Sequence, residues 1–292
     1  MNDLEQMLAS LRRAQENQQA KTRNVNIEAE ADPLHDLADN AVTKSHALSR
    51  AYYRLSITEK RCMEALISKL HPLRTDNQPE LELSALEYAK AYNVPTNVAY
   101  RDIAGAIDAL MHRVITADRP NGKPGKIQLS VMDSAEYKDD EGKIVCSFGK
   151  KITPYLLGLR EKFSSYPLKK AVDFQSSYTW RFYEILVSWA QPKQETKGLF
   201  AGWIKNQSVD ELREMLGVPE SYRWNMFETR VLDVALQELR DNARISVFIE
   251  RVKTNRKITH LNISFIEDNQ TEILLEGGET PKKKTGRKLK AA

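Results

Sequence analysis

Five histidines, at positions 35, 46, 71, 112 and 260, are spread through the chain, and no two stand in an HxH or HxxxH arrangement. A nuclease that holds a metal beside a tyrosine nucleophile needs its histidines clustered. Cys62 and Cys146 are the only cysteines and lack CxxC spacing, so neither a zinc site nor a disulfide scaffold is expected. Gly122-Lys-Pro-Gly125-Lys126 superficially resembles a phosphate-cradling loop, but the G-x-x-x-x-G-K spacing is absent and no Ser or Thr follows. The residues therefore predict no catalytic site, no metal and no cofactor, and the protein is not expected to be an enzyme. A different set is suited to surface contact. Turned at about 100° per residue, a helix would carry Arg223, Met226, Thr229, Arg230, Asp233, Gln237 and Arg240 on one face. Arginine can bond guanine bidentately, and Thr or Met can touch a thymine methyl. Arg251, Lys253, Arg256 and Lys257 cluster a little further on, as cations placed to grip phosphates would. An earlier helix would present Asn97, Arg101, Gly105, Asp108 and His112, of which Asn97 and Arg101 are the candidate contacts.

These two faces belong to a repeated unit. Ser84-Ala-Leu-Glu87, then AKAY, then Asn93-Val94-Pro95 matches Ser208-Val-Asp-Glu211, then LREM, then Gly217-Val218-Pro219, offset by 124 residues. S-x-x-E is a capping box, and Val-Pro marks a helix stop. Downstream, Tyr100, Ile103, Ile107 and Leu110 align with Trp224, Phe227, Val231 and Val234, each set the buried stripe of an amphipathic helix. Upstream, with a shift, Arg61-x-x-Glu64-x-Leu66-Ile67 resembles Arg181-x-x-Glu184-x-Leu186-Val187. After the second copy, Ile245, Val247 and Ile249, then Leu261, Ile263 and Phe265, alternate as a β-hairpin does about the tip 253–257. After the first, Val114-Ile115 and Ile127–Val131 flank the turn-rich 121–125, taken as the tip of that copy, and a second hairpin follows around 139–143. Helix, helix-turn-helix and hairpin, twice over, predict an α+β fold of two tandem winged-helix domains related by duplication.

Charge is informative only by position. Residues 1–150 hold 20 Lys+Arg against 22 Asp+Glu, residues 151–280 hold 18 against 18, and the last twelve add six cations and no acids. No apolar run approaches the ~20 residues of a membrane span, and a cytoplasmic location with no membrane partner is expected. We assign 1–45 to a flexible N-terminal arm with a short stripe at Leu4, Met7, Leu8 and Leu11. The first winged-helix domain is assigned to 46–150, the second to 151–268 and a disordered basic tail to 269–292. A helix-turn-helix alone suits DNA and protein partners equally. The basic face and hairpin tip of the second copy favour DNA there, whereas Asp102, Asp108 and a weakly basic tip (Lys123, Lys126) leave the first less convincing. His260, inside a strand pattern, is expected to be structural.

Ile152-Thr-Pro-Tyr-Leu-Leu-Gly-Leu159, Phe163, Tyr166, Leu168 and Tyr178-Thr-Trp-Arg181-Phe-Tyr-Glu-Ile-Leu186 resemble iteron-binding plasmid replication initiators of the RepB/RepE type. So do Leu212–Pro219, Phe227–Leu232 and Arg256–Leu261. The resemblance covers roughly 45–266 and is strongest over 152–266. It implies a protein that binds directly repeated origin DNA (iterons) as a monomer, with both winged helices on successive major grooves. It further implies opening of an AT-rich region and recruitment of the host initiator ATPase and replicative helicase. Homodimers would repress the protein's own gene, the first domain contributing to the dimer. The family's second-domain recognition helix maps onto Arg223 to Arg240. A two-domain winged-helix transcriptional repressor without a replication role shares the same DNA-binding surface and is the alternative; a scaffold binding only proteins is a third reading.

Overall fold

A computed structural model describes residues 36–73, 80–119, 124–190 and 200–268. The stripe at Leu4–Leu11, the loop 121–123 with Lys123, and the basic tail lie outside the described residues. Strand β1 (Ala41–Ser45) and a single helical turn α1 (His46–Ser49) precede α2 (Ile57–Ser68). The first repeat follows as β2 (Leu81–Ser84), α3 (Ala85–Tyr92) and α4 (Thr96–Met111). Two hairpins come next, β3 (Val114–Asp118) with β4 (Lys126–Ser130), and β5 (Met132–Lys138) with β6 (Lys143–Phe148). Strand β7 (Phe163–Pro167) and α5 (Ser177–Trp189) lead to the second repeat. It comprises β8 (Ala201–Ser208), α6 (Val209–Met215), α7 (Trp224–Phe227), a π-helical turn (Glu228–Leu232), α8 (Asp233–Ala243), β9 (Ile245–Thr254) and β10 (Lys257–Glu267). Among the described residues no helix is long and apolar enough to cross a membrane.

The duplication is visible in strand order. The sheets run β2-β6-β5 and β8-β10-β9, so in each repeat the first strand pairs with the third. This corrects one expectation. The hairpin around 121–125 is not the first copy's equivalent of β9–β10. It forms a separate two-stranded sheet, bridged to Tyr52 through Thr116, while β6 pairs with β2 (Leu81 opposite Cys146) and makes β5–β6 the wing. Strand partners are chosen across long sequence separations, which local turn signals do not reveal.

Caps and stripes also repeat, with instructive differences. Ser84 and Ser208 both cap their helices, accepting from Glu87 N at 3.2 Å and Glu211 N at 3.4 Å. Glu87 completes the box by accepting from Ser84 N at 3.1 Å, whereas the Glu211 carboxylate accepts from Gln207 Nε2 at 3.0 Å instead. Ile103, Ile107 and Leu110 are fully buried as expected. In the second copy Phe227 and Val231 are fully buried, but the stripe then passes through Ala235 and Leu239, not Val234, which is only half-buried. Steps of four residues turn an α-helical stripe by about 40° each. The wider π turn at 228–232 absorbs that drift and keeps the stripe on the core.

A buried ionic cluster joins the two copies. β1 pairs antiparallel with β7, Ala41 opposite Pro167, which places Lys44 between α2 and α5. Lys44 Nζ donates to Glu64 at 2.7 Å and Glu184 at 2.5 Å; Lys60 Nζ donates to the same two carboxylates at 2.6 and 2.7 Å. Arg181 donates to Glu184 Oε2 at 2.8 Å, the Ala51 carbonyl at 2.8 Å and the Met215 carbonyl at 3.2 Å. Tyr166 Oη donates to Glu184 at 3.0 Å and accepts from Trp180 Nε1 at 2.9 Å. All five charged side chains are at most 3% exposed. Burial works to raise the Glu184 carboxyl, but Lys44, Lys60 and Arg181 together hold it well below the usual carboxylate range. Glu64 and Glu184 are the matched glutamates of the upstream repeat, so duplication has brought equivalent positions face to face.

Candidate nucleic-acid interface

In the second copy, Arg213 on α6 builds the turn that aims the following helix. Its guanidinium donates to the carbonyls of Tyr222 at 2.5 Å and Pro219 at 3.3 Å and lies 5.6 Å from the centre of the Phe227 ring. Gly217 has φ +68°, and a Cβ there would stand 2.7 Å from the Tyr53 carbonyl oxygen. The turn therefore lies close against the segment after α1, and only glycine fits that approach. With the Arg181–Met215 bond, this fastens the second helix-turn-helix to the body formed by α2 and α5.

Arg223 occupies the N-cap of α7, and Arg223, Thr229, Arg230 and Asp233 are exposed, with Met226 half-buried beside them. The guanidinium carbon of Arg230 lies 5.9 Å from the centre of the Tyr222 ring, and the residue remains exposed. Thr229 Oγ1 donates to the Asn225 carbonyl at 2.9 Å across the π turn. The exposed side of this helix thus groups all five candidates, with two bidentate donors on it.

The wing turns through Asn255 and Arg256, at φ +48° and +69°, between the paired residues Thr254 and Lys257. Two successive positive φ angles make a type I′-like hairpin turn, where the second position usually carries glycine. Arginine there costs about 1–2 kcal/mol. Lys253, Arg256 and Lys257 are all exposed around this tip. Arg251 differs, because it forms an ion pair with Glu228 at the start of the π turn. If the tip grips phosphates, the triple alanine variant at 253, 256 and 257 should weaken binding to every duplex alike. It should also flatten the slope of log affinity against log salt by up to about three units. An unchanged slope would place these charges in solvent.

The first copy has the same architecture and different chemistry. Asn97 and Arg101 are exposed on α4, Arg101 at 4.0 Å from Asp102, and a Cβ on Gly105 would meet open space. Its wing tip is acidic: Asp139, Asp140 and Glu141 are exposed, and Lys143 is held by Glu141 at 2.5 Å and Glu82 at 3.1 Å. Tyr100 donates its hydroxyl to Asp139, which pushes the phenol's pKa up to about 12. His260, on β10, bonds through Nδ1 with Thr259 Oγ1 at 3.0 Å. Among the described residues no group of three His, Cys, Asp or Glu side chains is placed to hold a metal.

The outer-face pattern marks the exposed residues and not those that hold them. Arg213, Tyr100 and Asp139 lie inside the repeat, stripe and hairpin patterns, but nothing in those patterns, or at Glu228, marks the bonds they make. The 124-residue offset did pair Tyr100 with Trp224, and that pairing was the available signal.

Comparison with known proteins agrees with this architecture. A family model described as "Initiator Replication protein, WH1" matches residues 41–187, and one described as "Initiator Rep protein, WH2" matches 208–265. An uncharacterized 27.6 kDa protein of Escherichia coli is 22% identical over 212 residues, covering 68% of this chain and 84% of that protein. The PI protein of Escherichia coli is 26% identical over 161 residues, and the alignment spans 50% of each chain. A crystal structure of the Pi initiator protein in complex with iteron DNA superposes with a TM-score of 0.63 at 21% identity, covering 80% of this chain and 99% of that one.

Proposed function

The chain belongs to the initiator replication protein family, and we propose from this that it binds directly repeated origin DNA and starts plasmid replication. The observation that carries the reading is the pair of helix-turn-helix units built into one body, the second with a basic wing beside an arginine-bearing helix. In this reading one chain occupies one repeat. The second copy reads bases through Arg223 and Arg230, aided by Met226, Thr229 and Asp233, and grips phosphates through Lys253, Arg256 and Lys257. Asn97 and Arg101 make the corresponding contacts of the first copy. The acidic first wing is unsuited to phosphates and leaves that surface to proteins: a second copy of the chain in a self-repressing dimer, or the host initiator ATPase and replicative helicase. The work is cytoplasmic and needs no cofactor.

The test is genetic. A plasmid whose sole origin contains the repeats flanking this gene should propagate only when the chain is supplied in trans. Repression of the gene's promoter without any support of that origin would instead identify a transcriptional repressor.

A further inference from the structure

Each recognition helix is tied to its own wing through the same position of the repeat. In the first copy Tyr100 donates to Asp139, at the tip of β5–β6. In the second, Trp224 donates its indole Nε1–H to Glu228 Oε2 at 3.1 Å, and the other oxygen of Glu228 pairs with Arg251 on β9. Trp224 is itself braced edge-on against the buried Phe227, ring centres 5.8 Å apart. Glu228 also opens the π turn from which Thr229 and Arg230 project. One carboxylate thus spans the helix and the hairpin whose tip, two to six residues beyond Arg251, carries Lys253, Arg256 and Lys257.

We propose that Glu228 is a positioning residue for DNA recognition, holding the basic wing at a fixed setting to the recognition helix and keeping Arg251 away from phosphates. The inference rests on the function proposed above. Two bodies held rigidly lose less freedom on binding, so their contacts add only on DNA that suits both at once. A wing freed from the helix reaches phosphates on any duplex, and a released Arg251 adds one more such contact. Glu228 therefore favours the repeat over unrelated DNA, although by its own charge it repels both. Tyr100 and Asp139 make a tie at the matching place in the first copy, but the wing it holds is acidic and has no phosphate grip to restrain.

The experiment compares the full chain with Glu228→Gln on the repeats and on a scrambled duplex of equal length, across a salt series. Glutamine retains an acceptor for the Trp224 indole and loses the charge that holds Arg251. The variant should bind scrambled DNA more tightly, with its salt slope steeper by about one unit, and its preference for the repeats should fall about tenfold. Arg251→Gln should lose preference without steepening the slope, whereas Tyr100→Phe, which frees only the acidic wing, should keep the parent's preference. Melting temperatures near the parent's are expected for all three, since each tie lies at the surface. An unchanged preference in Glu228→Gln, or a parallel loss on both duplexes, would overturn the inference while leaving the proposed function standing. A parent chain with no preference for the repeats would overturn both.

Discussion

Replacing Glu184 by alanine should cost about 3–5 kcal/mol of folding stability, because it strands buried charge. Three cations, Lys44, Lys60 and Arg181, would then surround the single carboxylate of Glu64. The converse substitution is milder. Lys44→Met leaves Lys60 and Arg181 against Glu64 and Glu184, two of each sign, and fills the space with an apolar stem. It should cost less than about half as much. Thermal unfolding should place Glu184→Ala roughly 10 °C below the parent and Lys44→Met between them. The acid limb gives a second check. A carboxylate depressed in the folded state contributes stability that is complete above its unfolded pKa of about 4.3 and fades as pH falls toward the folded value. The gap between the parent and Glu184→Gln should therefore narrow below about pH 4. A gap constant from pH 7 to pH 2 would mean that Glu184 acts by shape rather than by charge.

This cluster marks the limit of what the sequence makes legible. The helix-turn-helix units are readable because their signals are local: S-x-x-E, Val-Pro and apolar spacing all fall within 27 residues in each copy. The outer faces follow from the same spacing, and Arg223, Thr229, Arg230 and Asp233 are exposed where a helical wheel puts them. What depends on distant partners is not readable. Lys44 and Lys60 look like ordinary surface lysines until β1 pairs with β7 and α2 meets α5. Turn signals point to the nearest hairpin, about 121–125, as the first copy's wing, whereas β2 selects β6, about sixty residues on, as its partner. The stripe prediction at Val234 failed by one residue because nothing in the spacing announced the π turn.

Arg223→Ala and Arg230→Ala together should reduce affinity for the native repeat between about 30-fold and about 25 000-fold, taking about 1–3 kcal/mol for each good base contact. The two side chains stand seven residues apart, Arg223 at the N-cap of α7 and Arg230 within the π turn, so their effects should be close to additive. Binding to scrambled DNA should suffer far less, since phosphate contacts from the wing remain. Relaxed preference at one or two base positions would identify the bases read. A double variant that binds the repeat like the parent would show that this helix does not enter the groove. The whole chain is the proper subject of such tests. A cut at 150/151 would separate β1 from β7 and part Lys44, Lys60 and Glu64 from Glu184 and Arg181, confounding binding with folding.

The central claim is that one chain applies two unlike winged helices to one repeat. Hydroxyl-radical footprinting of a single native repeat, with the stoichiometry of the complex measured independently, addresses it most directly. Two recognition helices on neighbouring major-groove segments about 10 bp apart should let one chain protect roughly 20 bp. The protected sequence should not be palindromic, because the two copies present different exposed residues, Asn97 and Arg101 in one and Arg223 and Arg230 in the other. Under the same conditions the Arg223→Ala/Arg230→Ala chain should lose protection first in the half assigned to the second copy. Protection that appears only with two chains on a palindromic site would contradict the account and leave an ordinary dimeric repressor in its place.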